Sequence, residues 1–302
     1  MPAYAPDYGF AANVLAYLAK GDGRTDDTAS IQAAIDAVSA GGGGIVIFPP
    51  AANYYKVSTL TYKSNVVLKG FGPTSQLRQR AGIASPFLTS ATPRNRTHFV
   101  TVEDLYFNAF DNQASNAGGL FFEGTDFVNV YRCRVDYTRV AGIQFKGGAT
   151  VGDAMYANIE KNVLQNMVAG IGVHLVCSTA SKPDGATIRD NVINAGVGVG
   201  IKFEGSITSG DRIDGCRVDG NRTIGVPTVI EAECYDTKFL SNRFEVTSGG
   251  MTVTVHADAA RLLFDGNSYA NETSLTFTDP SNVARRRNET QTGTAGFVED
   301  AR

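Results

Sequence analysis

One eight-residue pattern, apolar-x-apolar-x-x-(Asn/Cys/Leu)-x-apolar, recurs along two-thirds of this chain and limits what the chain can fold into. It reads VTVEDLYF at Val100–Phe107, VNVYRCRV at Val128–Val135, ANIEKNVL at Ala157–Leu164 and ATIRDNVI at Ala186–Ile193. Shorter copies follow at Ile213–Val218, Phe239–Phe244 and Phe264–Tyr269. The central apolar residues fall at 102, 130, 159, 188, 213, 239 and 264, in steps of 28, 29, 29, 25, 26 and 25. A near-constant period in the twenties marks a solenoid, whose repeats bury their apolar faces only against one another. Apolar and polar residues alternate within each copy and no helical spacing lies between copies, so this solenoid is a β-helix.

The turn position after each strand is taken by Leu105, Cys133, Asn162, Asn191, Cys216, Asn242 and Asn267. Coils stack about 4.8 Å apart, so these residues are expected to form one internal file. An asparagine amide donates to the coil on one side and accepts from the other, while Cys and Leu fill the same slot as apolar plugs. That file is architecture and carries no chemistry. Glycines ahead of strands, at Gly142, Gly170 and Gly200, mark sharp corners. The unbroken repeat makes the 302 residues one elongated domain.

The net charge of −3 and the lack of a basic run before residue 285 argue against a nucleic-acid surface. No apolar stretch approaches a membrane span, and no signal peptide opens the sequence. Cys133 and Cys216 lie three coils apart in the file, beyond disulfide reach, and Cys177 and Cys234 read as core thiols. Folding in a reducing cytoplasm is the expectation. No cofactor and no metal site are expected.

Ahead of the repeats stands KGDGRTDDT at Lys20–Thr28, then an amphipathic stretch with Ile31, Ala34, Ile35 and Val38 on one face, then a glycine run and the apolar Ile45–Phe48. This spells a tight turn, a helix over 27–40 capped by Asp26, Asp27 or Thr28, and a buried strand. Such a helix closes the open end of a β-helix, where an unpaired edge coil would otherwise be exposed. Turn and cap chemistry accounts for Asp22, Asp26 and Asp27 without a catalytic role.

The run KGDGRTDDTASIQAAIDAVSAGGGGIVIFPPAANYYKVSTL resembles the opening of pectate-lyase-like right-handed parallel β-helix proteins, among them phage tailspikes, capsule depolymerases, polygalacturonase-like hydrolases and polysaccharide lyases. The likeness is close over 17–80 and extends as a repeat over 17–278. Where that family has aromatic-Gly-Ala-Lys, this chain reads Tyr17-Leu-Ala-Lys20. Neither the paired-Asp signature of polygalacturonases nor the Arg-centred signature of calcium pectate lyases is present, so no catalytic residue transfers. The resemblance implies an all-β right-handed parallel β-helix of eight or nine coils over 17–278, with an N-terminal extension 1–16 and a loosely ordered tail 279–302.

A site must then be read from columns. Alternation along the second strand of each coil sends Glu123, Lys146, His174, Glu204, Glu231 or Glu233, and His256 outward. Stacked, they form one charged strip holding two of the three histidines. Carboxylates on adjacent coils would stand about 5 Å apart, the spacing of a retaining glycosidase pair, and crowding raises one pKa towards that of a general acid. Glu204 and Glu231 are the expected catalytic pair with His174 beside them. Lys146, Lys202, Glu123, Glu233 and His256 are the expected substrate contacts. Unspecific strand-stabilising polarity is the competing account of the same strip.

A second strip follows the turn file: Asp136, Tyr137, Arg139, Gln165, Asn166, Asn194, Asp219 and Glu245, of which Tyr137 and Arg139 suit a sugar. Residues 94–98, 108–119 and 177–185 read as projecting loops, where specificity commonly resides. The expected function is a phage tailspike-like virion protein, assembled in the host cytoplasm, that binds and cleaves a bacterial surface polysaccharide. The alternatives are a non-catalytic structural or adhesin spike and a secreted polysaccharide lyase, in which Lys146 or His174 abstracts the proton next to a uronic carboxylate. A homotrimer packed through Phe121, Tyr131 and Tyr137 is expected, with other virion proteins as further partners.

Overall fold

A computed structural model describes residues 10–90, 97–148, 154–168, 170–177, 181–194, 198–205, 213–225, 228–245, 250–255, 259–270, 274–277, 283–286 and 289–291. Among the described residues, parallel sheets of 11, 10 and 9 strands run along the molecule and are visited in turn, apart from a two-stranded pair, Ala154–Met155 with Pro183–Asp184. Between Gly44 and Phe277 the circuit of first, second and third sheet closes 9 times, the strand count of the third sheet. The chain is a right-handed parallel β-helix with a dry interior. In the first sheet Leu68, Val102, Val130, Ile159 and Ile188 stand in one inward column, and all are buried. Each such side chain stabilises the stack by about 1.5–3 kcal/mol through burial.

One repeat sits elsewhere than its spelling suggests. Ile188 pairs with Val218 rather than Ile213, and Val218 with Phe239. The anchors are therefore 102, 130, 159, 188, 218, 239 and 264, in steps of 28, 29, 29, 30, 21 and 25. The file residue of that coil is Asn221, and Cys216 is instead a buried residue just before the strand Arg217–Asp219. The correction has a physical basis, because the Asn221 amide bonds the coils on both sides, whereas Cys216 Sγ reaches only the Asp214 carbonyl of its own coil at 3.5 Å. Asn221 accepts the Asn191 N–H at 3.0 Å and side-chain N–H at 2.9 Å. It donates to the Ile188 carbonyl at 2.8 Å and to the Asn242 side-chain oxygen at 3.0 Å. The same bonds link Asn162 to Asn191 and Asn242 to Asn267. Ahead of the file stand Asp104, Arg132, Lys161, Asp190, Gly220, Ser241 and Gly266, each left-handed with φ between 51° and 66°. One corner geometry thus recurs in seven coils, and the ladder holds it.

The helix Thr28–Ala40 buries Ile31, Ala34, Ile35 and Val38 over the first coils, as expected. The aspartates before it serve the turn. Asp27 is fully buried and its carboxylate accepts the N–H groups of Lys20 at 2.6 Å and Gly21 at 3.1 Å. Asp26 accepts from the Thr28 N–H at 3.1 Å. Asp22 accepts the N–H groups of Thr25 and Arg24, which hold its carboxyl down to about 2. Both ends of the stack run past the expected limits. Ala11–Asn13 pairs with Ile45–Ile47, so these residues belong to the first sheet and not to an extension. Val283–Arg286 and Glu289–Gln291 add strands beyond residue 278. All four cysteines are buried thiols outside any disulfide.

Candidate functional site

The outward residues of the third sheet fall into two columns where one was expected. Glu123 pairs with Lys146, Lys146 with Val176, and Val176 with Glu204. Beside it, two residues earlier along each strand, run Phe121, Gln144, His174, Lys202 and Glu231. The offset arises at Ile171–Val176, where Val173, not Ile171, faces Ile143 and Ile201. A two-residue shift preserves the face and moves only the column. His174 thus lies level with Gln144 and Lys202, and Glu231 lies level with Lys202 rather than with Glu204.

The two columns meet at Glu204. Its Oε2 accepts from His174 Nε2 at 3.1 Å and lies 3.1 Å from Lys202 Nζ. On the other side of the ring, Gln144 Nε2 approaches His174 Nδ1 at 3.2 Å. An amide N–H donating to Nδ1 places the imidazole proton on Nε2, aimed at the carboxylate. The His174 side chain is 11% exposed and that of Glu204 44%, so a held ring presents an accessible carboxylate. The Oε1 of Glu204 has no hydrogen-bond partner among the described residues. Partial burial opposes ionisation, but the Lys202 ammonium and His174 outweigh it and hold the Glu204 carboxyl below the ordinary glutamate range. The expectation that a crowded partner carboxylate raises one carboxyl of the pair is not met at Glu204: a cation adjoins it where a second carboxylate was expected. An ionised carboxylate with one oxygen anchored can act as base or nucleophile, not as proton donor.

The remaining expected residues scatter. Lys146 Nζ lies 3.3 Å from Glu123 Oε1, one coil pair separated from Glu204 by Val176. Glu233 is buried, and its Oε2 accepts the Gly205 N–H at 3.0 Å, a structural use. Glu231 is described as a strand position only, and His256 lies outside the described residues. Tyr137 and Arg139 belong to the platform made by the 108–119 segment. The Tyr137 ring meets Phe110 edge-on at 5.0 Å, and the Arg139 guanidinium bonds the Gln113 side chain. Asp136, Gln165 and Asn194 share one column of the second sheet, whereas Asp219 lies in the first. Asp136 is buried there between Tyr106 Oη at 2.9 Å and Arg134 Nη2 at 2.7 Å. Gln144 was missed because an uncharged outward residue gives no charge signal, although it orients the one histidine of the site.

Residues 11–218 match the family model for rhamnogalacturonase A/epimerase, pectate lyase-like proteins. Mannuronan C5-epimerase AlgE3 of Azotobacter vinelandii is 52% identical over 68 residues, which are 20% of this chain and 4% of that protein. The chain therefore spans only a small part of that relative. ORF18 of Geobacillus virus E2 shares the fold with a TM-score of 0.60 at 19% identity, over 93% of this chain and 60% of that one. PfbA, a surface adhesin of Streptococcus pneumoniae, does so with a TM-score of 0.70 at 14% identity, over 93% and 80% of the two chains.

Proposed function

Because the chain belongs to the rhamnogalacturonase A/epimerase, pectate lyase-like family, we propose that it binds an acidic bacterial polysaccharide along the third sheet and cleaves it there. The observation that carries the reading is the ionised Glu204 carboxylate, whose Oε2 is anchored between Lys202 and His174 and whose Oε1 has no hydrogen-bond partner among the described residues. Glu204 is the reacting group, as base towards the proton beside a uronic carboxylate or as nucleophile at the glycosidic carbon. Lys202 and His174 hold it ionised, and Gln144 fixes the His174 proton. Lys146, two coils along, receives an acidic sugar substituent. A β-helix shared with a viral open reading frame, and four buried thiols outside any disulfide, support a virion-associated, tailspike-like setting.

The test is incubation with alginate, polygalacturonate and capsules of the natural host. Oligosaccharide release supports the reading. An unsaturated product absorbing in the ultraviolet identifies a lyase, and a new reducing end without it a hydrolase. The second reading, an adhesin without chemistry, draws on PfbA and on Glu204 Oε2 being engaged by Lys202 and His174. Binding without any product would favour it.

A pH profile gives an independent check. A carboxyl whose pKa is lowered by folding stays ionised to lower pH than usual. The acid limb of activity should therefore fall below the ordinary glutamate range. Lys202→Met removes a charge that favours the ionised form, so the limb should move to higher pH. An unmoved limb would assign it to another group. A homotrimer is part of the tailspike reading. Phe121, Tyr131 and Tyr137 are half-buried, so its contacts are expected from exposed aromatics instead, and a monomer by light scattering at micromolar concentration would remove this part.

A further inference from the structure

The turn that leads from the third sheet into the first carries a feature the strip above does not use. At the entry to the first sheet, within the opening residues of Thr97–Glu103 and Thr125–Tyr131 and just ahead of the other strands, successive coils place Asn65, Phe99, Phe127, Tyr156, Gly185, Gly215, Asp236 and Arg261 in equivalent positions, all left-handed with φ between 44° and 65°. Asparagine and glycine adopt this conformation readily, whereas bulky aromatic residues do so at a cost. Phe99, Phe127 and Tyr156 nonetheless occupy three consecutive rungs and are 41%, 40% and 40% exposed. Their rings stack at centroid distances of 4.7 Å and 5.4 Å. The two stacked pairs return part of the backbone cost of three left-handed residues, and they do so on the surface, where the outer ring of the stack meets solvent.

We propose that this stack is a second saccharide site, in which a pyranose ring takes the rung after Tyr156. The coil spacing of about 4.8 Å would set a fourth ring level with Gly185. A Cβ on Gly185 would lie 3.1 Å and 3.2 Å from Cδ1 and Cε1 of Tyr156, so any side chain there would press on that ring, and glycine does not. At Gly215, the next rung, an added Cβ would meet nothing within 4 Å. The column then resumes with Asp236 and Arg261, which are ion-paired, the guanidinium lying 5.7 Å from the Tyr235 ring centroid. Along the column an aromatic stack, two glycine rungs and an ion pair thus follow one another, and the two glycine rungs make a slot about 10 Å long between side chains.

A hexopyranose suits it by chemistry. Its C–H face is apolar and lies flat on an aromatic ring, while its rim hydroxyls reach a carboxylate and a guanidinium. A sugar stacked on Tyr156 lies across the helix axis, so the glycan crosses the turn rather than following the third sheet. Lys182, Arg217 and Arg261 around the slot are each ion-paired, with Asp184, Asp219 and Asp236, so a neutral hexose rather than a uronate is the expected sugar. The inference rests on the chain being a polysaccharide-binding protein but not on Glu204 as its reacting group.

The test is saturation-transfer NMR on the full chain with neutral gluco-, manno- and galacto-hexasaccharides and with oligogalacturonate. At least one neutral probe should show transfer to the C–H protons of one sugar face. Tyr156→Ala and Gly185→Asn, the latter keeping a residue that tolerates the left-handed backbone, should each weaken that binding at least tenfold. Thermal unfolding should be unchanged, and Glu204→Gln should leave the binding intact. Binding by no neutral probe, full binding by Gly185→Asn, or oligogalacturonate bound as well as the neutral probe would overturn the proposal. So would Tyr156→Ala altering the oligomeric state while leaving glycan binding untouched, which would make this surface a contact between copies of the chain.

Discussion

Asn191→Ala should destabilise the protein by about 3–5 kcal/mol, more than any exterior substitution described above. The Asn191 side chain is buried and makes four hydrogen bonds. Its oxygen accepts the Asn162 N–H at 2.9 Å and the Asn162 amide at 3.0 Å. Its amide donates to the Ile159 carbonyl at 2.8 Å and the Asn221 side chain at 2.9 Å. Alanine leaves the Asn162 N–H and the Ile159 carbonyl without partners in a dry interior, each costing about 1–3 kcal/mol, and it opens a small cavity. Asn191→Leu refills the volume but orphans the same groups, so it should rescue little. The exposed Asn194, one turn along the same coil, is the control: Asn194→Ala should shift stability by no more than about 0.5 kcal/mol. Chemical denaturation of the three variants decides the matter. Equal midpoints for Asn191→Ala and wild type would mean the ladder is not a stabilising element.

That ladder also shows what the sequence made legible. The strands, the internal file and the capping helix follow from alternation and period, because a solenoid repeats its own local rules in every coil. The register failed at one place, and the cause is local. Ile213-Asp-Gly-Cys-Arg-Val218 and Val218-Asp-Gly-Asn-Arg-Thr223 spell the same pattern head to tail. Apolar spacing does not distinguish them, and only the hydrogen bonds of Asn221 do. A similar ambiguity misplaced His174. Ala141-Gly-Ile143 and Ala169-Gly-Ile171 read alike, yet Gly142 packs against Gly172, not Gly170. Period-two alternation keeps Glu123, Lys146, His174 and Glu204 on one face and hides the slip, so the residue types of the site were legible while their partners were not. The aromatic stack carried no signal at all, since Phe99, Phe127 and Tyr156 stand outside the repeated eight residues.

Glu204→Gln should lower the rate on a cleaved glycan at least about a hundredfold, the low end for losing a positioned acid or base. The amide keeps an acceptor for Lys202 and His174 but neither takes up a proton nor attacks as an anion. Stability should hold within about 0.5 kcal/mol, because the side chain is 44% exposed and its ion pair with Lys202 is partly screened. Binding should weaken far less than rate, so the loss is expected in kcat rather than KM. His174→Gln, which retains a donor without a ring, should reduce the rate less and raise the acid limb, as expected of a positioning residue. Glu231 sits beside Lys202 and not beside Glu204, so Glu231→Gln should act mainly through substrate affinity. Full activity in both Glu204→Gln and Glu231→Gln would remove the third-sheet strip as the active site. Since Lys202 and His174 hold Glu204 ionised, a proton needed by the leaving group has to come from a different residue or from solvent.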